Sequence, residues 1–270
     1  MARTRKKKES TTALQAPDAQ WLNLLESTEP IESVPGPGRW LVTEYQPTAL
    51  FSLKTSQATS SVGVSLVIPT PYAIKMAFVD AAFRTGLPDD DCERFLRSLV
   101  KVDLRIAPAK AAVVTNTFLK VRQESRDGDP LRPYIPSIAY RELVYLDGAW
   151  LWAFDVAGCD HPAATHLVRL ARHVNYVGKR GSFVQFTKAF RLADLGPKFT
   201  RPLRTGSPQA FPTGVHVRQL DDFGPEASLE ILSSFTKTEP RRDRHRKFVE
   251  TIIPAPLVNT GPGFSEYHCE

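Results

Sequence analysis

Residues 62–86 read VGVSLVIPTPYAIKMAFVDAAFRTG, and both structural periods of the chain meet in this stretch. Residues 62–68 are almost wholly apolar and predict a first strand. Pro69-Thr70-Pro71-Tyr72 then interrupts, and a helical pattern follows over 73–85. Ile74, Ala77, Phe78, Ala81 and Ala82 make its apolar stripe, and Gly86 closes it. Pro71 fits the first helical turn because its missing N–H would be unpaired there in any case.

Outward from this point the pattern stays mixed. Pro88 and the acids Asp89, Asp90 and Asp91 open a second helix reaching about residue 100, with negative charge at the positive end of the helix dipole. On the N-terminal side, Trp40, Val42, Leu50, Phe51 and Leu53 predict strand over 40–54. After residue 102 the period is two: Val102, Leu104 and Ile106 alternate with Asp103 and Arg105. Strand-rich runs at 111–121 and 137–155 flank a polar, proline-containing stretch with no core face. Residues 113–140 therefore predict a projecting β-arm, with Asp127-Gly128 as its turn, and Asp147-Gly148 predicts a second hairpin. His161-Pro162 starts a helix reaching about residue 173. Beyond Phe190 the reading is an irregular extension, 191–270, basic and rich in proline and glycine over 190–212, with short strand candidates at 215–220 and 228–235.

Composition sets the class. The chain has 270 residues, 42% hydrophobic and 24% charged, which is globular and sufficient for a core without disulfide or metal staples. Twenty-two prolines disfavour long helices. The net charge is +6, but residues 1–8 alone hold Arg3, Arg5, Lys6, Lys7 and Lys8. Residues 1–38 read as a basic leader and linker with a short helical pattern at 20–26. Any basic surface on the body must come from segregation of charge. Three cysteines without a C-x-x-C pair exclude zinc-finger and thioredoxin readings and fit a reducing compartment. No apolar run approaches a membrane span, so a cytoplasmic protein without membrane contact is expected.

The candidate chemistry lies at 176–204. Lys179, Arg180, Lys188, Arg191, Lys198, Arg201 and Arg204 face a single acid, Asp194, and Tyr176, Phe183, Phe186, Phe190 and Phe199 are interleaved. Cations neutralise phosphates and exposed aromatics stack bases, so this segment predicts nucleic-acid contact. Gly178 and Gly181 allow a left-handed backbone that turns amides toward a phosphate. Gly178-Lys179-Arg180-Gly181-Ser182 lacks Walker A spacing, so ATP hydrolysis is not indicated. His173, Tyr176 and Lys179 could supply base, acid and cation to a metal-independent ribonuclease; packing plus phosphate contact explains them more simply. The histidines show no metal-ligand spacing, and no paired-carboxylate or G-x-S-x-G motif supports a small-molecule enzyme, so no metal and no cofactor is expected.

These residues resemble a family. Ile68-Pro69-Thr70-Pro71-Tyr72-Ala73-Ile74-Lys75-Met76-Ala77 looks like the proline-rich approach to the first helix of the RAMP superfamily. It resembles more closely the Cas-five family, the CRISPR surveillance-complex (Cascade) subunit that caps the five-prime end of the guide RNA. Tyr176-Val177-Gly178-Lys179-Arg180-Gly181-Ser182-Phe183 is similar to that family's later glycine-basic loop. The likeness covers roughly 40–190, and it departs where Met76-Ala77 replaces the usual glycine. It implies an α+β fold with a ferredoxin-like (RRM-related) core over 39–190. It also implies an RNA-binding structural subunit in antiviral defence that holds the five-prime handle of the guide RNA (crRNA). Its partners would be a repeated backbone subunit and a large subunit, with target DNA met indirectly. One branch of the family cleaves the guide precursor, which is the alternative for His173, Tyr176 and Lys179. The RNA-facing set expected is Tyr72, Lys75, Tyr176, Lys179, Arg180, Ser182, Phe183, Gln185, Arg201 and Arg204.

Overall fold

The computed structural model describes residues 34, 36, 38–55, 62–125, 128, 130–131, 133–157, 159, 161–203, 214–233 and 238–269. The helical pattern at 20–26, Asp127 and Arg204 lie outside the described residues.

Strand β1 (Trp40–Pro47) buries Leu41, Val42 and Thr43 in a row, as a strand covered on both faces does, and it lies inside a four-stranded sheet. β2 (Val62–Gly63) belongs to a second sheet. Next to β1 run β6 (Trp150–Asp155) and β7 (Val184–Leu192), and β3 (Leu104–Ala107) pairs with β6. The order is β3-β6-β1-β7, every neighbouring pair antiparallel. Leu41 and Tyr45 join the main core, while Val42 packs with Ala107, Ala153 and Phe199 on the opposite face. Helices α1 (Pro71–Arg84) and α2 (Asp89–Lys101) precede β3 in the chain, and α3 (His161–Ala171) precedes β7. Phe78 of α1 meets Phe154 of β6 edge-on at 5.1 Å, and the Tyr45 hydroxyl donates to the Ala171 carbonyl at the end of α3 at 2.7 Å. Trp152 stacks on Tyr45 at 4.0 Å, and Trp150 meets Phe51 at 5.0 Å. Burial of a side chain of this size contributes about 1.5–3 kcal/mol.

The second sheet is built on a long hairpin. β4 (Ala111–Glu124) and β5 (Tyr134–Asp147) pair from Ala111↔Asp147 to Glu124↔Tyr134. At the base Ala112, Val114, Val144 and Leu146 are buried; toward the tip Phe118, Leu131 and Ile138 are exposed. β2 adds parallel to β5. Beyond β4 come β12 (Phe264–His268) and β11 (Leu257–Gly261), giving the order β11-β12-β4-β5-β2. A third sheet, β8 (Arg201–Pro202), β10 (Arg246–Ile253) and β9 (His216–Phe223), runs in the order β8-β10-β9. No helix among the described residues is long and apolar enough to cross a membrane.

Several sequence expectations change. The strand expected over 62–68 shrinks to Val62–Gly63; Leu66, Val67 and Ile68 are buried by packing, outside any ladder. The strand at 40–54 stops at Pro47, and Phe51 rejoins only through a bridge to Val144. The C-terminal extension is strand-rich rather than irregular: His216–Phe223, Arg246–Ile253 and the Leu257–His268 hairpin all pair. Where 228–235 predicted strand, one helical turn forms, α4 (Leu229–Leu232), because Leu229 and Leu232 fall on one side of a turn.

Lys75 is the clearest correction. Ala73, Ile74, Ala77, Phe78, Val79, Ala81 and Ala82 are all buried, and Lys75 is buried with them. Its Nζ lies 2.8 Å from Asp222 Oδ1 and donates to the Val102 carbonyl at 2.9 Å. Burial lowers its pKa, and the Asp222 carboxylate works against that shift. The ammonium is consumed inside the fold, so Lys75 leaves the RNA-facing set.

Candidate nucleic-acid interface

The start of α1 is fixed by its sequence. The Thr70 hydroxyl accepts from the Ala73 amide at 3.2 Å, and Pro71 occupies the first helical position. No acid stands in the first turn. The positive end of the helix opens on a cleft of about 500 Å³.

The opposite wall is the glycine-basic loop between α3 and β7. The Val184 amide donates to the Asn175 carbonyl at 3.0 Å, Val177 to Ser182 at 3.1 Å, and Ser182 to Lys179 at 3.0 Å. This knot forces left-handed backbone at Gly178 (φ +71°) and Gly181 (φ +103°). A Cβ on Gly178 would also stand 2.9 Å from Leu53 Cδ1, in the cleft wall. The loop holds Lys179 and Arg180 exposed, and among the described residues no carboxylate pairs with either.

A third wall comes from far along the chain. Arg246 of β10 forms an ion pair with Asp221 of β9, and its guanidinium lies 4.4 Å from the centre of the Tyr72 ring. Phe223 meets the same ring edge-on at 5.4 Å. Burial raises the Tyr72 pKa, so the phenol stays protonated and can donate. Lys54 lines the cleft as well; its pKa is lowered by burial first, then by the charges of Arg141 and Lys179. The cleft carboxylates, Asp80 and Asp221, are both engaged by arginines, Arg84 and Arg246. What the cleft offers an incoming group is two phenol rings, a stacked guanidinium and the Lys179 ammonium.

Tyr72, Tyr176 and Lys179 are thus brought together, with Arg180 and Phe183 exposed on the same loop. Gln185 is exposed at the start of β7. Ser182 is buried and its Oγ accepts from the Ser52 amide at 3.4 Å, so it supports the loop. Arg201 lines a different pocket, with Trp40 and Phe199. His173 is not in the cleft lining; its carbonyl accepts from Arg84 Nη2 at 2.7 Å. Burial lowers its pKa, and Arg169, Arg84 and Arg172 add to the shift. The residue that sequence reasoning missed is Arg246. Its signal was the basic cluster 241–247, but nothing local tied that cluster to Tyr72, some 170 residues earlier.

No family model matches the chain. A curated protein from Archaeoglobus fulgidus, CRISPR-associated protein Cas5, is 23% identical over 107 residues, 40% of this chain and 47% of that protein. The chain is similar to Cas5. It spans about half the length of that curated relative. Among solved structures, a CRISPR protein from Archaeoglobus fulgidus aligns at 10% identity over 86% of this chain and 92% of its own, with a TM-score of 0.39. A chain of a CRISPR RNA-guided surveillance complex aligns at 13% identity over 79% of this chain and 89% of its own, with a TM-score of 0.46.

Proposed function

We propose that this chain is an RNA-binding structural subunit of a type I CRISPR surveillance complex, holding the five-prime handle of the guide RNA in the cytoplasm. The observation that carries the reading is the cleft in which Tyr72, Tyr176, Lys179 and Arg246 converge from three separate parts of the chain. Aromatic faces with adjacent cations are what a single-stranded RNA end requires. Similarity to Cas5 supports the same reading. The order β3-β6-β1-β7, with α1 and α2 before β3 and α3 before β7, supports a ferredoxin-like RAMP core over 39–190. In this reading the arm, 113–140, and the extension, 191–270, are additions to that core. The extension contributes Arg246 to the RNA site, and a repeated backbone subunit and a large subunit are the protein partners.

The ribonuclease alternative gains nothing from the geometry, because His173 stands apart from Tyr176 and Lys179 in the cleft. Ultraviolet cross-linking of a guide RNA to the protein tests the proposal. Peptides bearing Tyr72 or Tyr176 should carry nucleotides of the five-prime handle. Cross-links only at distant surfaces, or metal-independent cleavage abolished in His173→Ala with binding intact, would overturn it.

A further inference from the structure

Helix α1 also walls a second hollow, a groove of about 770 Å³ between α1, α2 and α4. Its floor is apolar: Met76, Val79 and Phe83 from α1, Leu229 and Leu232 from α4. Phe83 is 44% exposed. Apart from Ser233, the polar lining is acidic. Asp80, Asp89, Asp90, Glu93 and Glu230 line the groove, with no basic residue among the lining. This stands on a chain whose net charge is +6.

The carboxylates are not all satisfied locally. Asp80 pairs with Arg84, and Glu93 pairs with Arg97 at 2.8 Å while accepting from the Leu229 amide at 2.9 Å. On the neighbouring face of α2, Asp91 pairs with Arg94. Asp89, Asp90 and Glu230 are exposed, and among the described residues no cation pairs with any of them. Unpaired negative charge thus borders an apolar hollow, Asp89 and Asp90 from α2 and Glu230 from α4.

We propose that this groove docks a cationic amphipathic helix of a partner protein. The apolar floor takes the stripe of such a helix, and the carboxylates take Lys or Arg flanking that stripe. RNA is the wrong ligand here, because the unpaired carboxylates of Asp89, Asp90 and Glu230 would face its phosphates. The groove is separate from the basic loop, so it can hold a protein while the cleft holds RNA, and it does not depend on the RNA reading.

Two labelled peptides of about 18 residues, five helical turns, test this with the full-length protein. One carries a leucine stripe flanked by lysines; the other has glutamate in place of each lysine. In fluorescence anisotropy the lysine peptide should bind and weaken with salt, and the glutamate peptide should not bind. Phe83→Asp, and separately Asp89→Lys with Asp90→Lys, should each weaken the lysine peptide about tenfold or more. Glu230→Lys, on α4, is an independent check should either variant misfold. Lys179→Ala with Arg180→Ala should leave peptide binding unchanged. Equal binding of both peptides, or lysine-peptide binding indifferent to all the groove variants, would overturn the proposal. Tighter groove-dependent binding by a peptide of residues 1–28 of this chain than by the lysine peptide would also overturn it, assigning the groove to the chain's own basic segment.

Discussion

Helix α1 presents different surfaces to two hollows of opposite sign. Toward its start, Tyr72 and Ala73 meet Lys54, Lys179 and Arg246; toward its end, Val79 and Phe83 meet Asp89, Asp90 and Glu230. Met76 and Asp80 border both. Outside residues 1–8 the chain is nearly neutral, so the contrast arises from where charges are placed. A single helix therefore separates a basic wall from an acidic one. The helix is held by Lys75, whose ion pair with Asp222 ties α1 to the strand that also presents Asp221, the partner of Arg246.

The largest expected effect removes that tie. Lys75→Ala leaves Asp222 with the Phe223 amide at 2.7 Å and, as its cation, Lys247 3.4 Å away, and should cost about 3–5 kcal/mol in urea unfolding. A cost near zero would separate the two hollows from the Lys75 anchor. The next effect concerns the loop on the cleft wall. Gly178→Ala imposes both left-handed strain and contact with Leu53, and should destabilise by about 1–2 kcal/mol. Gly181→Ala meets nothing within 4 Å and should cost less, through strain alone. Equal costs would mean that the Leu53 contact is immaterial. Deleting residues 124–131, at the exposed end of the hairpin, should leave the isolated protein folded and impair assembly with partner subunits; unfolding would make that segment part of the core. The smallest effect is on pH. His173 and His216 both have lowered pKa values, each chiefly through burial, so the unfolded chain takes up their protons first as pH falls. Their contribution to stability is complete above about pH 6.5 and is lost progressively below it. Melting temperatures measured at descending pH should fall less steeply in His216→Asn than in the parent.

Much of this was legible in the sequence for local reasons. The Pro71 start of α1, the alternation at 102–106 and the glycine-basic loop are all written in neighbouring residues. The errors were non-local. Lys75 reads as a surface cation by type, and only the buried residues on either side of it in α1 hint at an internal partner, which sits near residue 222. Arg246 belongs to the cleft because β10 pairs with β9, a register that no local pattern predicts. Strands β11 and β12 escaped notice because they are short, polar and partly exposed, and their order comes from joining β4.

The central claim is that the basic side of α1 is where RNA binds. Its most direct test is the salt dependence of RNA affinity in the parent, in Lys179→Ala with Arg180→Ala, and in Asp89→Lys with Asp90→Lys. Each lost single-strand phosphate contact lowers the log–log slope by about 0.7, so the cleft variant should be shallower by about 1.4. The groove variant should keep the slope of the parent, being on the other side of the helix. An unchanged slope in a folded cleft variant would contradict the assignment of Lys179 and Arg180 to phosphate.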